Sequence, residues 1–157
     1  MEVCCFTGHR LLPGGAEGQR LRYLCESSVR QAYAEGCRRF FSGGALGFDM
    51  LAAAIVCYLR DSFYADMSLH LLLPCRDQAV GWSEKNRQRY ADMLSLADSY
   101  VFLHESYSER VMQSRNAALV EKADLFIAYM KNPASGTGST LSMARRAGIP
   151  VRNLAEK

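Results

Sequence analysis

No stretch of this sequence stays apolar for the ~20 residues that a membrane-spanning helix requires, which argues against a membrane protein of that kind. Neither sign of charge dominates: 19 Lys and Arg face 16 Asp and Glu, for a net charge of +3. That excess is too small to mark a nucleic-acid binder by electrostatics. The arginines that do cluster, Arg20, Arg22 and Arg30, then Arg38 and Arg39, read as solvated helix faces. None of the six cysteines (Cys4, Cys5, Cys25, Cys37, Cys57, Cys75) forms a CxxC pair, and no second ligand cluster has zinc spacing. The opening Met1–Phe6 is too short for the apolar core of a secretion signal. The expectation is therefore a cytoplasmic protein with reduced, mostly buried cysteines, no metal and no membrane partner. On a strand, the adjacent Cys4 and Cys5 would face opposite sides.

What the sequence does have is alternation. Short apolar runs at Val3–Phe6, Arg39–Phe41, Ser68–Leu73, Tyr100–Leu103 and Asp124–Tyr129 read as strands, with a short last one at Ile149–Arg152. Pro74 is expected to break the third. Between them fall helical patterns: Glu17–Glu35 with a stop at Gly36, the almost wholly apolar Phe48–Arg60, and Ser83–Ala97. Two more follow, from Tyr107 or Ser108 to Lys122 with Ser108 as its cap, and from Thr137 or Gly138 to Ala147, closed by Gly148. A helix as apolar as Phe48–Arg60 must be buried against a sheet. Strand–helix alternation without a linker or repeat points to one α/β domain: a doubly wound, mainly parallel sheet with helices on both faces, a Rossmann-like fold. Ligands of such sheets sit beyond the carboxyl ends of the strands, at a topological switch point.

Four loops after strands carry unusual chemistry. In Ser42–Asp49 three glycines precede the buried helix. Glycine there lets backbone approach a ligand, and the helix start offers unpaired N–H groups and the positive dipole end. The spacing is neither GxGxxG nor a Walker P-loop, since no Gly-Lys-Ser/Thr follows. Asn132–Thr140 repeats the design, with Gly136, Thr137 and Gly138 before a helix. The loop after the first strand supplies Gly8, His9 and Arg10. Arg10 suits a bidentate phosphate contact, and His9 either donates to phosphate, moves a proton or caps a turn. Asp49, in a first helical turn, either complements the dipole or accepts a hydrogen bond from a ligand. Trp82, the only tryptophan, lies in the Pro74–Trp82 loop and is a candidate for stacking on a base or a cover for the core edge. Arg115 and Asn116 fall mid-helix, where an exposed face is the simplest reading.

Taken in order, Cys5–Arg10, Ser42–Asp49, Leu73–Cys75 with Gln78 and Trp82, and Arg115–Asn116 resemble the YpsA family of the SLOG superfamily. That superfamily also holds DprA and the LOG-type phosphoribohydrolases. The resemblance implies a Rossmann-like fold with a pocket for a nucleotide-related ligand. It would place Gly8, His9, Arg10, Gly43, Gly44, Asp49, Arg115, Asn116, Gly136, Thr137 and Gly138 around that pocket. Two departures matter. LOG-type hydrolases carry GGxGTxxE with a catalytic glutamate, and here Thr140 stands at that place. A hydroxyl does not replace a carboxylate in acid–base catalysis near neutral pH. The DprA-like loop reads GGARGID, and here Leu46 replaces the arginine.

Three functions follow as expectations. The first is a non-catalytic nucleotide binder, acting as sensor or regulator, with no bound cofactor. The second is a nucleotide hydrolase, with His9, Asp49 and Glu105 as candidate catalytic groups and Arg10 and Arg115 holding phosphate. The third is a DprA-like binder of single-stranded DNA, or a module for a protein partner. Leu46 and the small net charge weigh against DNA. A homodimer is the expected oligomer, by analogy with related folds.

Overall fold

The computed structural model describes residues 1–156. Its strands are β1 (Val3–Gly8), β2 (Arg39–Ser42), β3 (Ser68–Cys75), β4 (Ser99–His104), β5 (Leu125–Tyr129) and β6 (Val151–Asn153). Its helices are α1 (Gly15–Ala34), α2 (Phe48–Ser62), α3 (Glu84–Leu96), α4 (Val111–Lys122) and α5 (Gly136–Arg146), and a 3-10 turn covers Leu154–Glu156. All six strands are parallel, in the order β4-β3-β2-β1-β5-β6. The expected α/β sheet with helices on both faces is therefore what the chain forms.

The central strands are mostly apolar because both of their faces are covered. Every residue of β5 is buried. Cys4 pairs with Phe40 and Leu125, and Cys5 with Phe41 and Phe126. The two cysteines do face opposite layers. Cys4 packs with Phe6, Phe40 and the buried residues of α1 and α2, and Cys5 with Phe126, Leu119 and Leu141 on the α4–α5 side. All six cysteines are buried and none is disulfide-bonded. Burial pushes the Cys4 and Cys25 thiols well above their usual range, which keeps them unreactive.

Three element boundaries depart from expectation. Pro74 does not break β3, which runs on to Cys75. β2 accompanies β3 only as far as Leu71, so Pro74 sits where one side of the strand has no neighbour to bond. Ser108 does not cap α4. Its carbonyl accepts the Val111 N–H at 3.3 Å in a preceding turn, and the helix opens at Val111 with Arg110 as the cap residue. The glycine-rich loop before α1 is also shorter than its composition suggests, since α1 begins at Gly15.

The chain lays down β1 to β4 in one direction and then returns to place β5 and β6 on the other side of β1. The switch point therefore lies between β1 and β5. The loops after β1, β2 and β5 meet there.

Candidate functional site

A cavity of about 320 Å³ opens at this switch point. Gly8, His9 and Arg10 reach it from β1, Asp49 from α2, Arg115 and Asn116 from α4, and Gly136 and Thr137 from α5. Eight of the residues that the sequence singles out thus come together, from segments far apart in the chain.

The α2 end is built on close contacts. Gly47 has φ of 85°, and any side chain there would collide with the carbonyls of His9 and Arg10. That approach lets the Phe48 N–H donate to the His9 carbonyl at 3.1 Å. Ser42 fixes the turn: its hydroxyl donates to the Asp49 carbonyl at 2.9 Å and accepts the Gly44 N–H at 3.2 Å. Asp49 is 5% exposed. Its Oδ2 accepts the Ala45 N–H at 3.3 Å, and its Oδ1 has no hydrogen-bond partner. Burial pushes the carboxyl up to about 6, against the pull of Arg115, the Ala45 N–H and Arg10.

Arg115 faces it from α4. The mid-helix position that suggests an exposed side chain is in fact buried. Nη1 donates to the Gly43 carbonyl at 2.6 Å and Nε to Asn116 Oδ1 at 2.8 Å. Burial draws its pKa down and the nearby Asp49 charge opposes this. A guanidinium remains protonated at any physiological pH, so the site holds a buried cation.

The α5 end turns a helix N-terminus toward the cavity. Ser135 caps the helix by accepting the Gly138 N–H at 3.1 Å. Gly136 and Thr137 occupy the first turn, where N–H groups have no partner within the helix and the dipole is positive.

His9 is a joint in this arrangement. Its Nε2 accepts backbone N–H groups from Lys131 at 2.8 Å and Asn132 at 3.2 Å. That nitrogen is therefore an acceptor already in use, and the ring ties the β1 loop to the β5 loop. Its reading as a turn cap fits this geometry better than proton transfer.

Some expected residues do not line the cavity. Gly43 and Gly44 form its frame, the first against Arg115 and the second against Leu73 in the core. Gly138 packs against the Pro133 carbonyl. Thr140 is fully buried and donates its hydroxyl to the Gly136 carbonyl at 3.1 Å, so the position of the LOG-type glutamate is turned into the fold. Glu105 is exposed and pairs with Arg76 at 3.1 Å. Trp82 lies edge-on to Tyr90, with ring centroids 5.3 Å apart, against the α3 side of the core and away from this cavity. Sequence reading missed Ser135, although its spacing to Gly138 is an ordinary capping signal.

Comparisons with known proteins agree with this fold. The model of the YpsA family, described as the YspA SLOG family, matches residues 15–147. A UPF0398 protein of Shouchella clausii is 31% identical over 112 residues, covering 69% of this chain and 60% of that protein. A UPF0398 protein of Bacillus licheniformis is 28% identical over 156 residues, covering 94% of this chain and 85% of the relative. The SPbeta prophage-derived protein YoqJ of Bacillus subtilis is 27% identical, covering 69% of this chain and 70% of its own. Among solved structures, TM1055 superposes with a TM-score of 0.61 at 18% identity, over 96% of this chain and 72% of its own. DNA processing protein A of Helicobacter pylori, described by its single-stranded DNA binding mode, reaches 0.66 at 18% identity, over 96% and 63%. DprA of Streptococcus pneumoniae reaches 0.67 at 15% identity, over 96% of this chain and 49% of that one. At such identities the structural likeness speaks for the fold.

Proposed function

The chain belongs to the YpsA family of the SLOG superfamily, and on that footing we propose that it binds a nucleotide or nucleotide-derived phosphate ligand as a non-catalytic sensor or regulator. The carrying observation is Asp49. A buried carboxylate oxygen without a partner costs about 1–3 kcal/mol. In this case it belongs to a residue that lines a cavity. A ligand hydroxyl donating to that oxygen relieves the cost, and a ribose offers such donors. An anion on the same ligand finds Arg10, Arg115 and the first turn of α5. Thr140, committed to the Gly136 carbonyl, is what favours binding over turnover. The test is a thermal-shift panel of nucleoside mono-, di- and triphosphates and ADP-ribose. A ligand at a hundred times its Kd raises stability by about 2.7 kcal/mol, and no shift with any of them removes the proposal.

One observation favours hydrolysis as a second reading. A carboxyl held near 6 is suited to exchanging a proton at neutral pH. Incubation with nucleoside monophosphates, followed by chromatography for released base or phosphate, decides between the two. The expectation that nucleic acid is not a partner meets a contrary finding in the Helicobacter pylori neighbour, which binds single-stranded DNA. For this chain Leu46 and the net charge of +3 still favour a small ligand. Among the described residues no helix is long and apolar enough to cross a membrane.

A further inference from the structure

With Trp82 away from the cavity, the base of a bound nucleotide needs another seat. A second cavity, about 590 Å³, lies between α2 and α3. Its floor is apolar, with Leu46, Met50, Ala54, Met93 and Leu96 among its residues. Its rim carries Arg10, Arg22 and Arg89 against a single acid, Asp92. These three arginines make no ion pair among the described residues, whereas Arg30, Arg38, Arg39, Arg60, Arg76 and Arg152 each do.

The two cavities adjoin. Arg10 lines both. Ala45 and Asp49 line the polar cavity while their chain neighbours Leu46 and Met50 line the apolar one. Consecutive Cα atoms are about 3.8 Å apart, so only one thickness of backbone separates the two. The polar cavity has the buried carboxylate, the buried guanidinium and the helix end. The apolar one has two methionines, whose soft thioethers make favourable contacts with aromatic rings. Arg10, exposed and without a protein partner at their junction, can lay its planar guanidinium against a base or fork onto a phosphate.

We propose that this apolar cavity between α2 and α3 is the base-binding half of a bipartite nucleotide site, with the phosphate and sugar at the β1–β5 switch point and Arg10 between them. This rests on the proposed function above and adds where the base goes and which residues select for it. The net positive rim also favours a ligand whose phosphate stays close to the junction over an uncharged ring.

The experiment is calorimetric titration of the full chain with ribose 5-phosphate and with each of the four common nucleoside monophosphates. At least one monophosphate should bind about tenfold or more tightly than ribose 5-phosphate, from burial of the base against the apolar floor. Ala54→Trp, on an exposed position of α2, fills the cavity, and Leu96→Glu, on an exposed position of α3, sets a carboxylate in it. In both, the loss should fall on the nucleotide, bringing its affinity to that of ribose 5-phosphate, while ribose 5-phosphate itself is bound as before. If one variant fails to fold by circular dichroism, the other carries the test. The proposal is overturned if wild type binds no monophosphate more tightly than ribose 5-phosphate, or if the preference survives in a folded variant. Binding of neither probe to wild type removes the phosphate site as well. Binding of ribose 5-phosphate alone removes only the base seat.

Discussion

The Arg115 guanidinium occupies the space that a side chain on Gly43 would need. A Cβ there would collide with its Nη1, which donates to the Gly43 carbonyl at 2.6 Å. The glycine therefore admits a buried cation to the switch point, and the cation in turn satisfies the glycine's carbonyl. Gly43→Ala should destabilise the fold by about 1–3 kcal/mol, the usual cost of overpacking, with the arginine pushed out of its seat. Urea unfolding checks the stability. An unchanged denaturation midpoint would mean that the contact yields freely.

Asp49 makes stability depend on pH in a known direction. Its carboxyl is raised from 3.8 to about 6, so the folded state holds the proton more tightly than the unfolded state does. Its contribution is fully present below about pH 4 and is lost as pH rises through about 6. The full span is on the order of 3 kcal/mol. Asp49→Asn should remove that slope and raise stability at about pH 8. It should also weaken nucleotide binding, because one acceptor oxygen becomes a donor. Denaturant melts of both proteins across this range measure the first effect. A slope that persists in the Asn variant would assign the titration to another group.

Arg10 separates binding from stability. It is exposed and makes no side-chain hydrogen bond or ion pair among the described residues. Arg10→Ala should leave the melting temperature nearly unchanged, within the effect of about 0.5 kcal/mol usual for surface changes. It should lower affinity for a nucleoside monophosphate about tenfold through loss of a charge-assisted contact. Equal affinity in the variant would take Arg10 out of the site.

Thr140→Glu should not install hydrolysis. Thr140 is fully buried, so a carboxylate at that place is cut off from solvent in the α5 layer. The variant should lose at least about 3 kcal/mol or fail to fold. A stable variant that releases base from a nucleoside monophosphate would show that α5 can turn this position toward the cavity.

Strand and helix order was legible because burial on both faces writes itself into the sequence as apolar runs, as in β5 and α2. The cavity-lining loops were legible because glycines and hydroxyls cluster after strands. What local patterns could not show was direction. Arg115 looks like any helical arginine until Gly43 is brought opposite it from β2. His9 looks like a proton carrier until the Lys131 and Asn132 N–H groups arrive at its ring from β5. Trp82 looks like a stacking platform until Tyr90, one helix later, takes its edge. Pro74 looks like a strand end until the shortness of β2 leaves it room. All but the Trp82–Tyr90 contact depend on a partner remote in sequence, and the family resemblance already placed Arg115 and His9 around the pocket.

The sheet order also has a consequence for biosynthesis. β1 is made first, yet β5, the neighbour that completes the switch point, follows more than a hundred residues later. Domains fold as their chain emerges from the ribosome, N-terminal segments first. The β1–β4 half can pair as it appears, whereas Gly136 and Thr137 join only once nearly the whole domain is out. A ligand at this site would come too late to guide early folding; it would act as a late clasp, holding β1 against the β5–α5 segment once both are made.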